Sequence, residues 1–159
     1  MTRCSKQEEG APAPETPPRE CNVGVIRGQW GEDVAADWLR GEGYVVVERN
    51  VRPNPRDRRL EIDLVVYDRE HDLIVFVEVK QHARRSEYQR RLRSVDRRKF
   101  VTLRRACCAW LRRNRWRGGY RFDVVEVYGE PGSRRPPEVD HVRHVRLFSP
   151  PETFVNWEA

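Results

Sequence analysis

At 159 residues, with 38% hydrophobic and 35% charged side chains, the chain is about one domain long and can bury one core of modest size. No apolar run approaches the roughly eighteen residues of a membrane helix, and no apolar N-terminal stretch resembles a secretory signal, so a cytoplasmic protein with no membrane partner is expected. The net charge of +6 lies entirely beyond residue 27, with a local +12 over residues 84–117 and a local −4 over residues 60–80, a division that points to an anionic partner met beside a site able to hold a cation.

Residues 1–27 are rich in Pro and Glu and show no hydrophobic periodicity, which predicts a disordered tail. Residues 28–148 carry the folded domain, and 149–159 form a C-terminal tail. Trp30, Val34, Ala35, Trp38 and Leu39 recur at helical spacing and predict a helix over 29–41, closed by Gly41 and Gly43. The β-branched run 44–48 predicts a strand, and Pro53 and Pro55 make 50–59 a loop. Residues 60–66 alternate as a strand, 68–72 turn, and the nearly all-apolar run 73–79 suits a strand covered on both faces. Ser94 is placed to cap a second helix ending near Trp116, with Phe100, Leu103, Cys107, Trp110 and Leu111 on one face. Cys107 and Cys108 read as small buried hydrophobes, because the four cysteines form no CxxC pair. Strands over 120–127 and 139–148 complete the order α-β-β-β-α-β-β, an α/β fold with a mixed sheet flanked by helices.

The hairpin over 60–80 carries the chemistry. If Asp68 pairs with Leu73, paired residue numbers sum to 141, which sets Asp63 opposite Glu78 and Glu61 opposite Lys80. Opposed side chains on a sheet stand roughly 4.5–5.5 Å apart at Cβ, where two like charges repel. Two facing carboxylates call for a cation between them, and Mg²⁺ is commonly held by one or two carboxylates plus water and phosphate oxygens. Weighed against this is a solvated hairpin face in which Glu61 and Lys80 form a surface pair worth about 0–1 kcal/mol. Convergence of the acids and the lysine on one face, followed at once by the arginine-rich segment, favours the site.

The blocks GQWGEDVAADWLRGEGY, ERNVR, LEIDLVVYD, FVEVK, Lys99 and RFDVVEV, in this order, resemble the YraN-type family of small bacterial proteins, a family placed in the PD-(D/E)xK nuclease-like superfamily and similar to archaeal Holliday junction resolvases. The resemblance spans roughly residues 28–148. It implies a restriction-endonuclease-like core and a magnesium-dependent acidic site in which Asp63 and Glu78 match the metal-binding carboxylates, Lys80 the motif lysine and Glu32 the acid of the first helix. On a helical projection Glu32 lies about 20° from Leu39, at the edge of the apolar stripe, although a glutamate near a helix N-terminus is also favoured by the helix dipole. This chain departs from the family at Leu60, where glycine is usual, and at Gln81 and His82, which replace Thr or Ser and then Arg.

These residues give the expected function: a metal-dependent endonuclease acting on DNA, including branched or damaged structures. Asp63, Glu78 and the Val79 carbonyl would hold Mg²⁺, with Mn²⁺ as the alternative, and Lys80 would position the attacking water or offset charge developing on the phosphorane. Arg84, Arg85, Arg90, Arg91, Arg97, Arg98 and Lys99 would bind flanking phosphates. The alternatives are an inactive nucleic-acid-binding module with the same fold and an adaptor for an acidic protein. Resolvase relatives act as dimers, which leaves a homodimer open. His71, His82, His141 and His144 rank below the acids, and Trp116 is weighed as a base-stacking residue against a helix-end anchor.

Overall fold

The computed structural model describes residues 22–85 and 97–147. The first helix, α1, spans Asn22–Gly41 and so begins seven residues before the periodic stretch does. No proline follows Pro18 until Pro53, and the helix runs back through residues 22–27, which were assigned to the tail. Val25 and Ile26 in this first stretch are exposed. The helix closes where Gly43 takes φ 90° and the Tyr44 N–H donates to the Leu39 carbonyl at 3.0 Å, a left-handed cap that needs glycine. The expected disorder of residues 1–21 and the tail at 149–159 lie outside the described residues.

Five strands follow: β1 Val45–Val51, β2 Ile62–Asp68, β3 Leu73–His82, β4 Gly119–Tyr128 and β5 Glu138–Val142, with α2 Arg97–Asn114 between β3 and β4. The element order matches the expectation, while β1 and β3 are longer than their β-branched cores. The proposed cap Ser94 lies outside the described residues. The sheet is ordered β1-β2-β3-β4-β5, with β3 and β4 parallel and every other pair antiparallel. A parallel pair needs a long crossover, and α2 supplies it.

The two helices cover opposite faces. Ala35, Ala36 and Leu39 of α1 pack on Leu64, Val66, Val75, Val77, Val125 and Val127. Leu103, Ala106, Cys107, Trp110 and Leu111 of α2 pack on Val65, Ile74, Phe76, Phe122 and Val124. Cys107 is a buried apolar residue as expected, its thiol pushed up by burial, while Cys108 is partly exposed. Trp116 proves to be a helix-end anchor: its indole N–H donates to the Gly119 carbonyl at 3.0 Å, its ring crosses Tyr67 edge to face, and it lies so close to Gly118 that a Cβ there would meet it at 2.6 Å. No helix of the described residues is long and apolar enough to cross a membrane.

A buried polar network fixes β4 on the α1 side. Arg121 donates to Asp123 at 3.0 Å, to Asp68 at 2.8 Å and to the Tyr44 hydroxyl at 2.8 Å. Asp123 also accepts from the His144 backbone N–H and contacts the His141 ring, both at 2.9 Å, so the two histidines meet one carboxylate, though only one does so through its side chain. Burial alone would raise Asp123, but His141, the His144 N–H and Arg121 outweigh it and hold the carboxyl below its usual range. Removing Arg121 strands two buried carboxylates, a loss of about 3–5 kcal/mol. Arg121→Ala is therefore expected to lower the melting temperature by roughly 10 °C or more at pH 8, and by less at pH 4, where the stranded acids can take up protons. An unchanged melting temperature would show that the network adds nothing.

Candidate active site

The short turn between β2 and β3 sets the geometry. Asp68 Oδ1 accepts the backbone N–H groups of Glu70 and His71, both at 3.1 Å, and Asp72 takes a left-handed φ of 53°, which closes the turn without a glycine. His71 itself is half exposed and its ring nitrogen lies 3.1 Å from Asp68 Oδ2. The ladder then runs from Asp68↔Leu73 to Leu64↔Val77, the register expected from the sequence. One step further, Asp63 reaches β3: its Oδ2 accepts the Val79 N–H at 2.7 Å. Val79 thus meets the site through its N–H, whereas the sequence reading used its carbonyl.

Asp63 and Glu78 line one cleft of about 230 Å³ together with Arg59, Glu61, Lys99, Thr102 and Leu103. Glu78 is 8% exposed. Burial and the neighbouring Glu78 carboxylate push Asp63 up to about 7; the Val79 N–H and Lys99 act against them, and Glu32 adds to them. A half-buried carboxyl beside a second one ionises less readily, because burial weakens its solvation and the neighbouring charge repels its own.

Glu32 reaches this end of the sheet because α1 comes unusually close to it. A Cβ on Gly31 would stand 2.9 Å from the Gln81 Cβ, so only glycine allows the helix to lie there. The next residue, Glu32, is raised by burial, opposed by a hydrogen bond from Asn50 and by Arg49, and its Oε2 is buried with no hydrogen-bond partner. Asn50 takes φ 50° near the end of β1, a left-handed conformation tolerated by asparagine. Gln81, one of the departures from the family pattern, has a structural task as well: its amide donates to the Gly129 carbonyl at 2.6 Å. Leu60, another departure, is a buried core residue.

Lys80 follows Glu78 on the same face, and both line a small apolar recess with Lys99, Phe100, Leu103 and Phe122. Among the described residues Lys80 pairs with no acid. The expected contact between Glu61 and Lys80 does not form. β2 starts at Ile62, and Glu61 turns to Arg52, whose guanidinium lies 3.3 Å from its carboxylate, while Lys80 runs beside Glu126 in the parallel register of β3 and β4.

Of the expected phosphate-binding residues, Arg84 and Arg85 are exposed just beyond β3. Arg85 is committed to Asp140 at 2.7 Å and Glu138 at 3.3 Å. Arg90 and Arg91 lie outside the described residues, and only the backbone of Arg97 and Arg98 is described, at the start of α2. Lys99 belongs to the acidic cluster instead: its ammonium is hydrogen-bonded to Glu78 Oε1. A compositional signal marked it. Only three of the 31 basic residues are lysines, and Lys80 and Lys99 both flank Glu78. His82 lies in β3, stacked on Tyr128 at 5.3 Å.

Among the described residues, no three His, Cys, Asp or Glu side chains stand as a ready-made metal-ligand set. The donors nonetheless suit a hard divalent cation that keeps most of its water: two adjacent carboxylates, one pushed toward its neutral form by the other, with the orphaned oxygen of Glu32 near them.

Residues 31–127 match the family described as "Uncharacterised protein family UPF0102". A UPF0102 protein of Trichlorobacter lovleyi is 38% identical over 117 residues, covering 72% of this chain and 85% of the relative. One from Halorhodospira halophila is 43% identical over 103 residues, 65% of this chain and 78% of the relative. One from Mycobacterium bovis is 34% identical over 124 residues, covering 76% and 92%. The family match contains Glu32, Asp63, Glu78, Lys80 and Lys99 and ends at Val127, one residue before the end of β4 and ahead of the β4–β5 loop.

The raised Asp63 has a consequence for stability. The folded chain keeps this proton up to about pH 7, whereas the unfolded chain releases it near the usual value of about 4. Folded protein therefore binds more protons between these limits, and stability falls as pH rises through them. Asp63→Asn, which can still accept the Val79 N–H, removes this penalty. In metal-free buffer it is expected to melt about 5 °C or more above wild type at pH 8 and level with it at pH 4. An equal difference at both pH values would show that Asp63 titrates normally.

Proposed function

The chain belongs to the UPF0102 family, and on that premise we propose that it is a divalent-metal-dependent phosphodiester hydrolase acting on DNA. The observation that carries this reading is the Asp63–Glu78 pair, two carboxylates in one cleft with Asp63 pushed up to about 7 and two lysines beside Glu78. Carboxyl groups forced together in a cleft are costly for folding and serve chemistry that needs a cation. The PD-(D/E)xK arrangement that the sequence resembles uses such a pair with a lysine two residues on, which here is Lys80.

In this reading Asp63 and Glu78 hold Mg²⁺, or Mn²⁺ in its place. When bound, the ion lowers the pKa of the attacking water and offsets charge on the phosphate. The other steps fall to the chain itself. Lys80 places its ammonium against a non-bridging oxygen of the scissile phosphate, where charge grows as the water oxygen bonds to phosphorus and the sugar oxygen leaves. Lys99, which is hydrogen-bonded to Glu78 in the structure, would be free to meet a phosphate oxygen were Glu78 to hold the ion. Glu32, whose Oε2 has no partner, accepts a hydrogen bond from the water and orients it. Branched DNA is the substrate that the resolvase resemblance favours, a DNA substrate places the protein in the cytoplasm, and a two-fold junction would suit a homodimer.

A second reading has one observation of its own. Lys99 already balances Glu78, so the cleft can persist without a metal, as in a domain that binds nucleic acid and does not cut it.

A nicking assay on supercoiled and branched DNA separates the two. Wild type is expected to cleave with Mg²⁺ or Mn²⁺, and Asp63→Ala and Lys80→Ala to lose about 100-fold or more of that rate, as expected for groups acting on developing charge. Both variants should bind DNA within a few-fold of wild type. Cleavage by both variants at the wild-type rate would overturn the assignment, and binding without cleavage under any metal would establish the second reading.

A further inference from the structure

Beyond His82 the chain opens into a groove of about 730 Å³ between the end of β3 and the β4–β5 loop, lined by Arg84, Arg85, Tyr128, Arg134, Arg135 and Glu138 among others. We propose that this groove is a second subsite, one that grips backbone phosphates of the nucleic acid through Arg84, Arg134 and Arg135 and so sets the direction in which the strand leaves the cleft. The inference deepens the nuclease reading and rests on it for the nature of the ligand.

Charge bookkeeping within the groove supports an anion. Its acids are already matched: Glu130 pairs with Arg27 at 2.7 Å, and Glu138 pairs with Arg85 at 3.3 Å, as does Asp140 behind it at 2.7 Å. Among the described residues, the guanidinium groups of Arg84, Arg134 and Arg135 pair with no acid. Three exposed arginines facing one open groove repel each other unless an anion lies between them, and arginine meets phosphate with two parallel N–H donors.

The loop that presents two of them is held in place. The Gly129 N–H donates to the His82 carbonyl at 2.8 Å, and the Gln81 amide donates to the Gly129 carbonyl at 2.6 Å. Gly129 takes φ 143° directly against the Trp30 ring, where a Cβ would stand at 3.2 Å. Pro131, Pro136 and Pro137 restrict the rest of the loop. The floor is a stack of Arg85 over Tyr128, 4.8 Å from its centroid, with His82 lying 26° from parallel to the same ring. Guanidinium groups on a fixed loop lose little entropy on binding.

Position ties the groove to the cleft. Glu78, Lys80 and His82 alternate along one face of β3, so the groove begins four residues from Glu78, about 13 Å away. The loop lies past residue 127, where the family match ends.

The test uses full-length protein with Arg134→Ala/Arg135→Ala and, as a charge-preserving control, Arg134→Lys/Arg135→Lys, each titrated with a labelled DNA duplex by anisotropy across salt concentrations. Loss of two phosphate contacts is expected to flatten the slope of log affinity against log salt by about 1.8 for duplex, or about 1.4 for single-stranded DNA. The alanine pair should also bind roughly tenfold more weakly near 0.1 M salt, while the lysine pair keeps the wild-type slope. An alanine pair with wild-type slope and affinity overturns the subsite, whatever the cleavage result, and so does a groove that binds poly-glutamate in preference to DNA. If wild type binds without cutting and the alanine slope still flattens, the nuclease reading falls and the subsite stands.

Discussion

A four-residue turn makes β2 and β3 antiparallel in a single register, and that register sets Asp63 against β3 beside Glu78 in one cleft. Burial and the neighbouring Glu78 carboxylate drive Asp63 up to about 7, and the proposed metal chemistry follows from how that unfavourable charge is relieved. Three means of relief are present. A proton on Asp63 is one, the Lys99 ammonium on Glu78 is another, and a divalent cation shared by both acids is the third. The first two let the pair persist without a ligand, the proton at a loss of stability as pH rises toward 7, and the third is the one that phosphodiester hydrolysis would use.

The two faces of the sheet handle buried charge in opposite ways. On the α1 face, Asp68 and Asp123 share the Arg121 guanidinium, and hydrogen bonds from His71 to Asp68 and from His141 and the His144 N–H to Asp123, with Arg121 added, outweigh burial and hold both carboxyls below their usual range. Among the described residues both carboxylates there meet cationic or N–H donors, although the buried His141 Nδ1 has no partner, and the network ties Tyr44, β2, β4, β5 and the segment after it together. On the α2 face the acids are under-compensated. Glu32 arrives from α1 only because Gly31 packs against Gln81, and it adds a third carboxyl with one oxygen left unanswered. Saturated networks rigidify, while unsaturated ones wait for a ligand.

The core of this arrangement was legible because it depends on local rules. Turn length fixes register, and a period of two puts Asp63, Glu78 and Lys80 on one side. The limit of that reasoning is Glu61: the ladder loosens after Asp63, and Arg52 captures a side chain that pattern alone assigned to Lys80. Lys99 was read as a phosphate contact because its place is set by the direction of a crossover helix, which periodicity does not reveal. Residues 22–27 were given to the tail by composition, yet a helix nucleated by the packed segment after Gly28 propagates back through them at little cost. The Arg121 network draws on five separate segments, and no spacing within any one of them announces it.

The most direct test is a carboxyl NMR titration of Asp63. In metal-free protein its midpoint is expected near 7, falling toward the ordinary carboxylate range in Glu78→Gln and falling by more than one unit when Mg²⁺ is added to wild type. A midpoint near 4 in the metal-free protein, indifferent to both Glu78 and Mg²⁺, would mean that the two acids do not share a site and that the cleft is not a metal centre.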